Sequence, residues 1–169
     1  MLFTRSLSFG LALASRAQST PLRTAVASRT AMSTMSMQGS PTIHMMWKVP
    51  AADEPAVDAY WKGHETWMQS AHTFGAVGDD ETEPRLLKFY IAKGKELNNP
   101  LDPESGETGN LLYIMSETYA APSGIASHMA KASAEWPGMA DLPSYSEKYG
   151  VFMEAGSCAV FTNLGAKMK

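Results

Sequence analysis

The 169-residue chain carries 17 acidic and 14 basic side chains, a formal net charge of −3, and one cysteine. A single cysteine excludes an intrachain disulfide and a cysteine-based zinc site, and no apolar run approaches the roughly 20 residues a membrane-spanning helix needs. Residues 1–40 contribute four arginines and no acid, so the remainder is more acidic than the whole and keeps no basic patch for DNA or RNA.

The first acid in the chain is Asp53, and before it stand Arg5, Arg16, Arg23, Arg29 and Lys48 in a stretch dense in Ser, Thr and Ala. An acid-free, arginine-spaced, hydroxyl-rich leader has the composition of an organelle transit peptide. The apolar residues between the arginines (Leu2, Phe3, Leu7, Phe9, Leu11, Leu13) permit an amphipathic helix, which favours a mitochondrial address. A plastid address is the alternative. A secretory signal is disfavoured, because its apolar core would be short and broken and Arg16 would crowd the cut. Residues 1–40 are therefore read as leader and 41–169 as one domain, large enough to bury a core.

In that domain, residues 43–49 form the first expected strand, stopped by Pro50. Asp53 is placed to cap a helix, with Glu54 and Pro55 in its first turn. Val57, Tyr60, Trp61, His64, Met68, Ala71 and His72 recur at three- and four-residue steps, which makes one face of a helix of about five turns ending at Gly75. Residues 77–84 read as an exposed acidic loop. Strands are expected over 86–91 and 111–115, with residues 93–110, rich in Gly, Pro, Asn and Asp, as loop for most of the length between them, functional or mobile rather than a passive connector. A second helix runs from about Pro122 to Trp136, broken by Pro137-Gly138. A connector and a last strand over 151–164 follow, with Gly156 at a bulge.

The order βαββαβ is that of an α+β, ferredoxin-like fold with a four-stranded antiparallel sheet and two helices on one face. Taken by period two, Ile43, Met45, Trp47, Val49, Leu87, Phe89, Ile91, Leu112 and Ile114 make an apolar face. His44, Met46, Lys48, Leu86, Lys88, Tyr90, Leu111, Tyr113, Met115 and Glu117 make a mixed one. That second face is too apolar to leave wet and too charged for an ordinary core. A second copy covering it, as a homodimer whose two sheets close into a barrel, is the economical solution.

From Tyr113 through Glu117, Tyr119 and the helix start to His128, the chain resembles the antibiotic biosynthesis monooxygenase (ABM) domain family. Its third strand ends in an acid and an aromatic and is followed by a turn and a helix bearing a histidine; Tyr119 stands where many relatives have a Trp. With the element order, the resemblance covers residues 41–165. It implies a dimeric α/β barrel and an oxidoreductase, with either no cofactor or haem as the alternative. The expected substrate is a phenol or quinol that itself reduces dioxygen, or haem. A non-catalytic dimeric module binding a small aromatic molecule or haem is the second reading.

The candidate catalytic residues are His128, as proton acceptor or haem ligand, Glu117, which can orient it, and Tyr119. The bland alternative for His128 is a bond fastening helix to strand, and for Glu117 a strand-end ion pair. His64, Trp67, Tyr113 and Tyr90 are candidate substrate-binding residues, with core packing as their alternative. His64 and His72, two turns apart on one helix and about 12 Å apart by rise, cannot share a metal directly. His64-Glu65 resembles the start of a zincin signature but Met68 takes the place of its second histidine, so no metal is assigned. Trp61 and Trp136 stack a planar ligand or fill the helix–sheet interface. Cys158 reads as a buried, inert thiol.

Overall fold

The computed structural model describes residues 37–75 and 84–162. The leader, apart from residues 37–40, and the acidic loop, apart from Pro84, lie outside the described residues. Strand β1 spans Pro41–Pro50, helix α1 Glu54–Ala71, β2 Thr73–Phe74, β3 Arg85–Leu97 and β4 Glu107–Tyr119. Helix α2 follows at Pro122–Glu135, α3 at Leu142–Tyr149 and β5 at Gly150–Ala159. No helix among the described residues is long and apolar enough to cross a membrane.

The fold is α+β, with one sheet in the order β2-β3-β4-β1-β5. The four long strands pair antiparallel. The sheet is nonetheless five-stranded and mixed rather than four-stranded and purely antiparallel, because Thr73 and Phe74 pair in parallel with Arg85 and Leu86. That short pairing also ends α1 early. His72, not Gly75, is the first non-helical residue (φ −126°, ψ 150°), and Gly75 instead turns the chain at φ +109°. Asp53 sits at the head of α1 without capping it; its carboxylate takes the Tyr149 hydroxyl at 3.0 Å and Lys148 at 3.0 Å.

Half of the expected loop over 93–110 is strand, 93–97 in β3 and 107–110 in β4. Leu97 faces Glu107 across a hairpin whose turn is closed by Asn98 N–H donating to Gly106 O at 2.9 Å. Its Gly, Asn and Asp content suggests irregular chain, yet cross-strand polar pairs hold it straight. Lys95 meets Glu107 at 2.7 Å, and Glu96 collects Lys48, Thr108 and Asn110. The connector after α2 contains a helix, α3, that its Pro/Ser/Tyr content conceals. The bulge at Gly156 is present: its φ is +82°, and the β1–β5 register jumps between Ile43–Ala155 and Pro41–Ala159.

Register decides which residues share a face, and here it departs from the sequence reading. Ile43, Met45, Trp47 and Val49 stand opposite Glu117, Met115, Tyr113 and Leu111. Directly opposed residues point the same way, so those four β4 residues lie on the helix-covered face and Leu112 and Ile114 on the open one. The phase within β1 and β4 is legible, but in β3 a register shift between Leu86 and Lys88 puts Leu86 on the covered face with Phe89 and Ile91. The offset between strands is not legible, and one residue of slip reverses every side chain. Trp47, 1% exposed, anchors the covered face, ringed by Tyr60, Trp61, Tyr145 and Tyr149 at centroid distances of 4.6–6.2 Å. Cys158 is exposed rather than buried, because β5 is an edge strand.

Candidate functional site

Strand β4 ends in Glu117 and Tyr119, two residues apart and therefore on one face. Both are fully buried, and the Tyr119 hydroxyl donates to Glu117 Oε2 at 2.5 Å. Helix α1 brings His64 down onto this pair by the same three- and four-residue stripe that buries Tyr60, Trp61 and Trp67. The His64 ring packs against Trp136 at 4.6 Å and its Nε2 lies 3.7 Å from Glu117 Oε1. Helix α2 supplies His128, whose Nδ1 is 3.0 Å from His72 Nε2 and 4.0 Å from Glu117 Oε2. The helix gets this close because residue 124 is glycine: a Cβ there would lie 3.1 Å from the Tyr119 ring.

His64, Glu117, His128 and Trp136 border an enclosed cavity of about 90 Å³ between sheet and helices. Its polar corner is His64, Glu117 and His128. Its apolar walls include Met115, Met129, Met139, Trp61 and Trp136. Glu117 Oε1, His64 Nδ1 and His72 Nδ1 are buried with no hydrogen-bond partner. Buried polar atoms left unpaired cost on the order of 1–3 kcal/mol each, so two on residues of one cavity, with a third close by, call for an occupant or a function.

Burial sets the proton affinities. It raises Glu117 to about 7, against the Tyr119 hydrogen bond, which pulls the other way. Burial lowers His64 to about 3, with His72 adding to the effect. It lowers His128 to about 3, reinforced by His72 and His64, and His72 to about 4, reinforced by Lys131. At neutral pH the three imidazoles are therefore uncharged lone-pair donors, and the close approaches to Glu117 are not ion pairs. Glu117 itself is divided between its two forms.

No protein-family model, no curated protein and no solved structure matches this chain.

The structure brings together the three residues expected to carry chemistry, Glu117, Tyr119 and His128, with His64 beside them and Trp67 against the His128 ring at 5.3 Å. It does not bring Tyr113 or Tyr90. Tyr113 donates to Asp58 at 2.7 Å and lines an open groove with Asp58 and Lys93, whose charges satisfy each other. Tyr90 is on the opposite face of the sheet, exposed beneath Lys88. His72 is the member that spacing misses. A β-branched and aromatic pair, Thr73-Phe74, before Gly75 is the signal that the helix stops at Ala71 and frees His72 to turn toward His128.

Proposed function

We propose that the chain is a small oxidoreductase that oxidises a single-ring phenol or quinol with dioxygen in the enclosed cavity. The observation that carries this reading is a fully buried carboxyl, flanked by neutral imidazoles, with one oxygen free of any partner at the corner of an otherwise apolar pocket. A ring hydroxyl is the complement of that corner: it can donate to Glu117 Oε1 while the ring rests on Met115, Met129 and Trp136. Apolar walls exclude water from an oxidised intermediate. Size supports a small substrate. Drug-sized ligands occupy pockets of about 300–1,000 Å³, and a cavity of about 90 Å³ admits a single ring only as the flexible methionines give way. A haem is larger than this space.

The chemistry balances without an added reductant. A phenol and dioxygen give a quinone and water, the phenol supplying every electron; a quinol and dioxygen give a quinone and hydrogen peroxide. The ABM resemblance belongs to the same reading, as does its architecture, a ferredoxin-like domain paired with a second copy. Exposed Tyr90 and Phe152, off the helix-covered core, support a partner there.

Oxygen uptake with a panel of single-ring phenols and quinols tests the reading. Wild type is expected to consume oxygen and Met129→Trp, which fills the cavity, to lose at least tenfold of that rate while keeping its circular dichroism. Uptake no faster than buffer by folded wild type across the panel would remove the proposal.

A further inference from the structure

We propose that His64, Glu117 and His128 form a binding site for one divalent first-row transition metal, with ferrous iron the fitting occupant. This deepens the reading above: it rests on the same cavity and names what would meet the ring hydroxyl and oxygen at the polar corner.

The three residues come from α1, β4 and α2, and each offers one ligand atom, all within 4.8 Å of one another. A metal held at about 2.0–2.2 Å from each ligand needs neighbours roughly 3–3.5 Å apart. The His64–Glu117 contact at 3.7 Å and the His128–Glu117 contact at 4.0 Å close to that range by side-chain rotation alone. The cavity at this corner gives the space for it.

A further observation points to a cation. Glu117 is 0% exposed, yet its Oε1 has no donor and no positive group offsets its charge. A bound cation supplies both. Two histidines and one carboxylate on one side, with open positions on the other, is the arrangement that suits ferrous iron and its oxygen chemistry. One support that metal sites use is present, Tyr119 fixing Glu117 Oε2; the His128 Nδ1 contact with His72 Nε2 at 3.0 Å is one that a metal at Nδ1 would displace. Met115 and Met129 line the apolar side, away from the oxygen and nitrogen donors.

Cobalt(II) is the probe, titrated into the full chain after chelator treatment, with its visible ligand-field bands as readout. The expected result is about one cobalt per chain, with binding weakened at least tenfold in His64→Gln and in Glu117→Gln and unchanged in His44→Gln, on the open face. Because a core variant can fail to fold, thermal unfolding of wild type with and without cobalt gives a variant-free check, and a rise of several degrees is expected. Absence of both bands and thermal shift in wild type overturns the inference, as does cobalt binding that His64→Gln and Glu117→Gln leave untouched. Cobalt binding with no oxygen uptake in the iron-loaded protein leaves the metal site standing and removes the oxidase reading. Oxygen uptake by a protein that binds no cobalt does the reverse.

Discussion

Two buried carboxyls stand on strands β4 and β5 of one sheet, either side of β1, and the protein treats them in opposite ways. Glu154, on β5, receives the Thr42 hydroxyl at 2.7 Å, His44 Nδ1 at 2.8 Å, the Cys158 amide at 3.1 Å and the Ser157 hydroxyl at 3.2 Å. Burial alone would raise it, but those donors together outweigh burial and hold it below the usual carboxylate range. Glu117 receives a single donor, and burial raises it to about 7. A carboxylate that serves structure is saturated with donors. One left short of them, at a cavity, destabilises its own fold and is kept for something else.

The largest test of that contrast replaces each acid by its amide. A carboxyl raised to about 7 binds its proton more tightly folded than unfolded. Stability therefore falls as pH rises from the unfolded value through about 7, by about 3 kcal/mol in total. Glu117→Gln does not titrate, so in metal-free protein it is expected to be more stable than wild type by about 3 kcal/mol above pH 8 and nearly equal to it at pH 5. Glu154 has the opposite sign: its lowered affinity contributes stability above the unfolded value, lost as pH falls. Glu154→Gln is expected to cost about 1–3 kcal/mol at pH 8. Urea unfolding at pH 5 and pH 8.5 checks both. If Glu117→Gln were destabilised equally at the two pH values, the carboxyl would be structural after all.

A smaller effect isolates the histidines. His64, His72 and His128 are all lowered well below the usual histidine value. The unfolded chain takes up their protons near pH 6.5 and the folded chain refuses them until about 3–4, so stability drops as pH falls between those limits. Each can account for about 2–3 kcal/mol by pH 4.5, partly offset by Glu117, which gains its proton in the folded state over the same range. His64→Phe, placed among Trp61, Trp67 and Trp136, removes one titration and fills the same space. The melting temperature of this variant should fall less steeply from pH 6.5 to 4.5 than that of wild type. Parallel curves would mean that His64 is protonated in the folded state and that the site is wetter than its burial indicates.

The same contrast explains what the sequence disclosed. Period within an element was readable: the α1 stripe through Tyr60, Trp61, His64 and Met68 is the face it buries, and Gly156 bends β5 where a lone strand glycine should. Glu117, Tyr119 and His128 could be singled out because an acid and an aromatic at a strand end, followed by a helix with a histidine, are local features. Relations between elements were not readable. The β1–β4 register put Glu117 under the helices, where the sequence reading had it on the mixed face, and that shift is the whole difference between a solvent ion pair and a buried site. His72 was harder to read for a related reason: Thr73-Phe74 before Gly75 is a weak local signal that the helix has ended, and the pairing of Thr73 with Arg85 makes it plain. The 93–110 hairpin was masked by turn-forming residues whose cross-strand charge partners lie more than ten positions away.

The smallest expected change in stability comes from Gly124→Ala, and it probes how finely Glu117 is set. Alanine favours a helix over glycine by about 1 kcal/mol, yet its Cβ would lie 3.1 Å from Tyr119 Cδ1 and 3.4 Å from Tyr119 Cβ. Either α2 or the tyrosine must yield by a few tenths of an ångström. The two effects nearly cancel, and stability is expected to stay within about 1 kcal/mol of wild type. The hydrogen bond from Tyr119 to Glu117 does not enjoy that cancellation. It is the one interaction that pulls the carboxyl down, and loosening it leaves burial unopposed. Glu117 should therefore titrate at higher pH in Gly124→Ala than in wild type, followed by the carboxyl carbon shift in selectively labelled, metal-free protein. An unchanged titration would show that the tyrosine follows the carboxyl when the helix moves, so that strand β4 alone, rather than its contact with α2, sets the poise of the site.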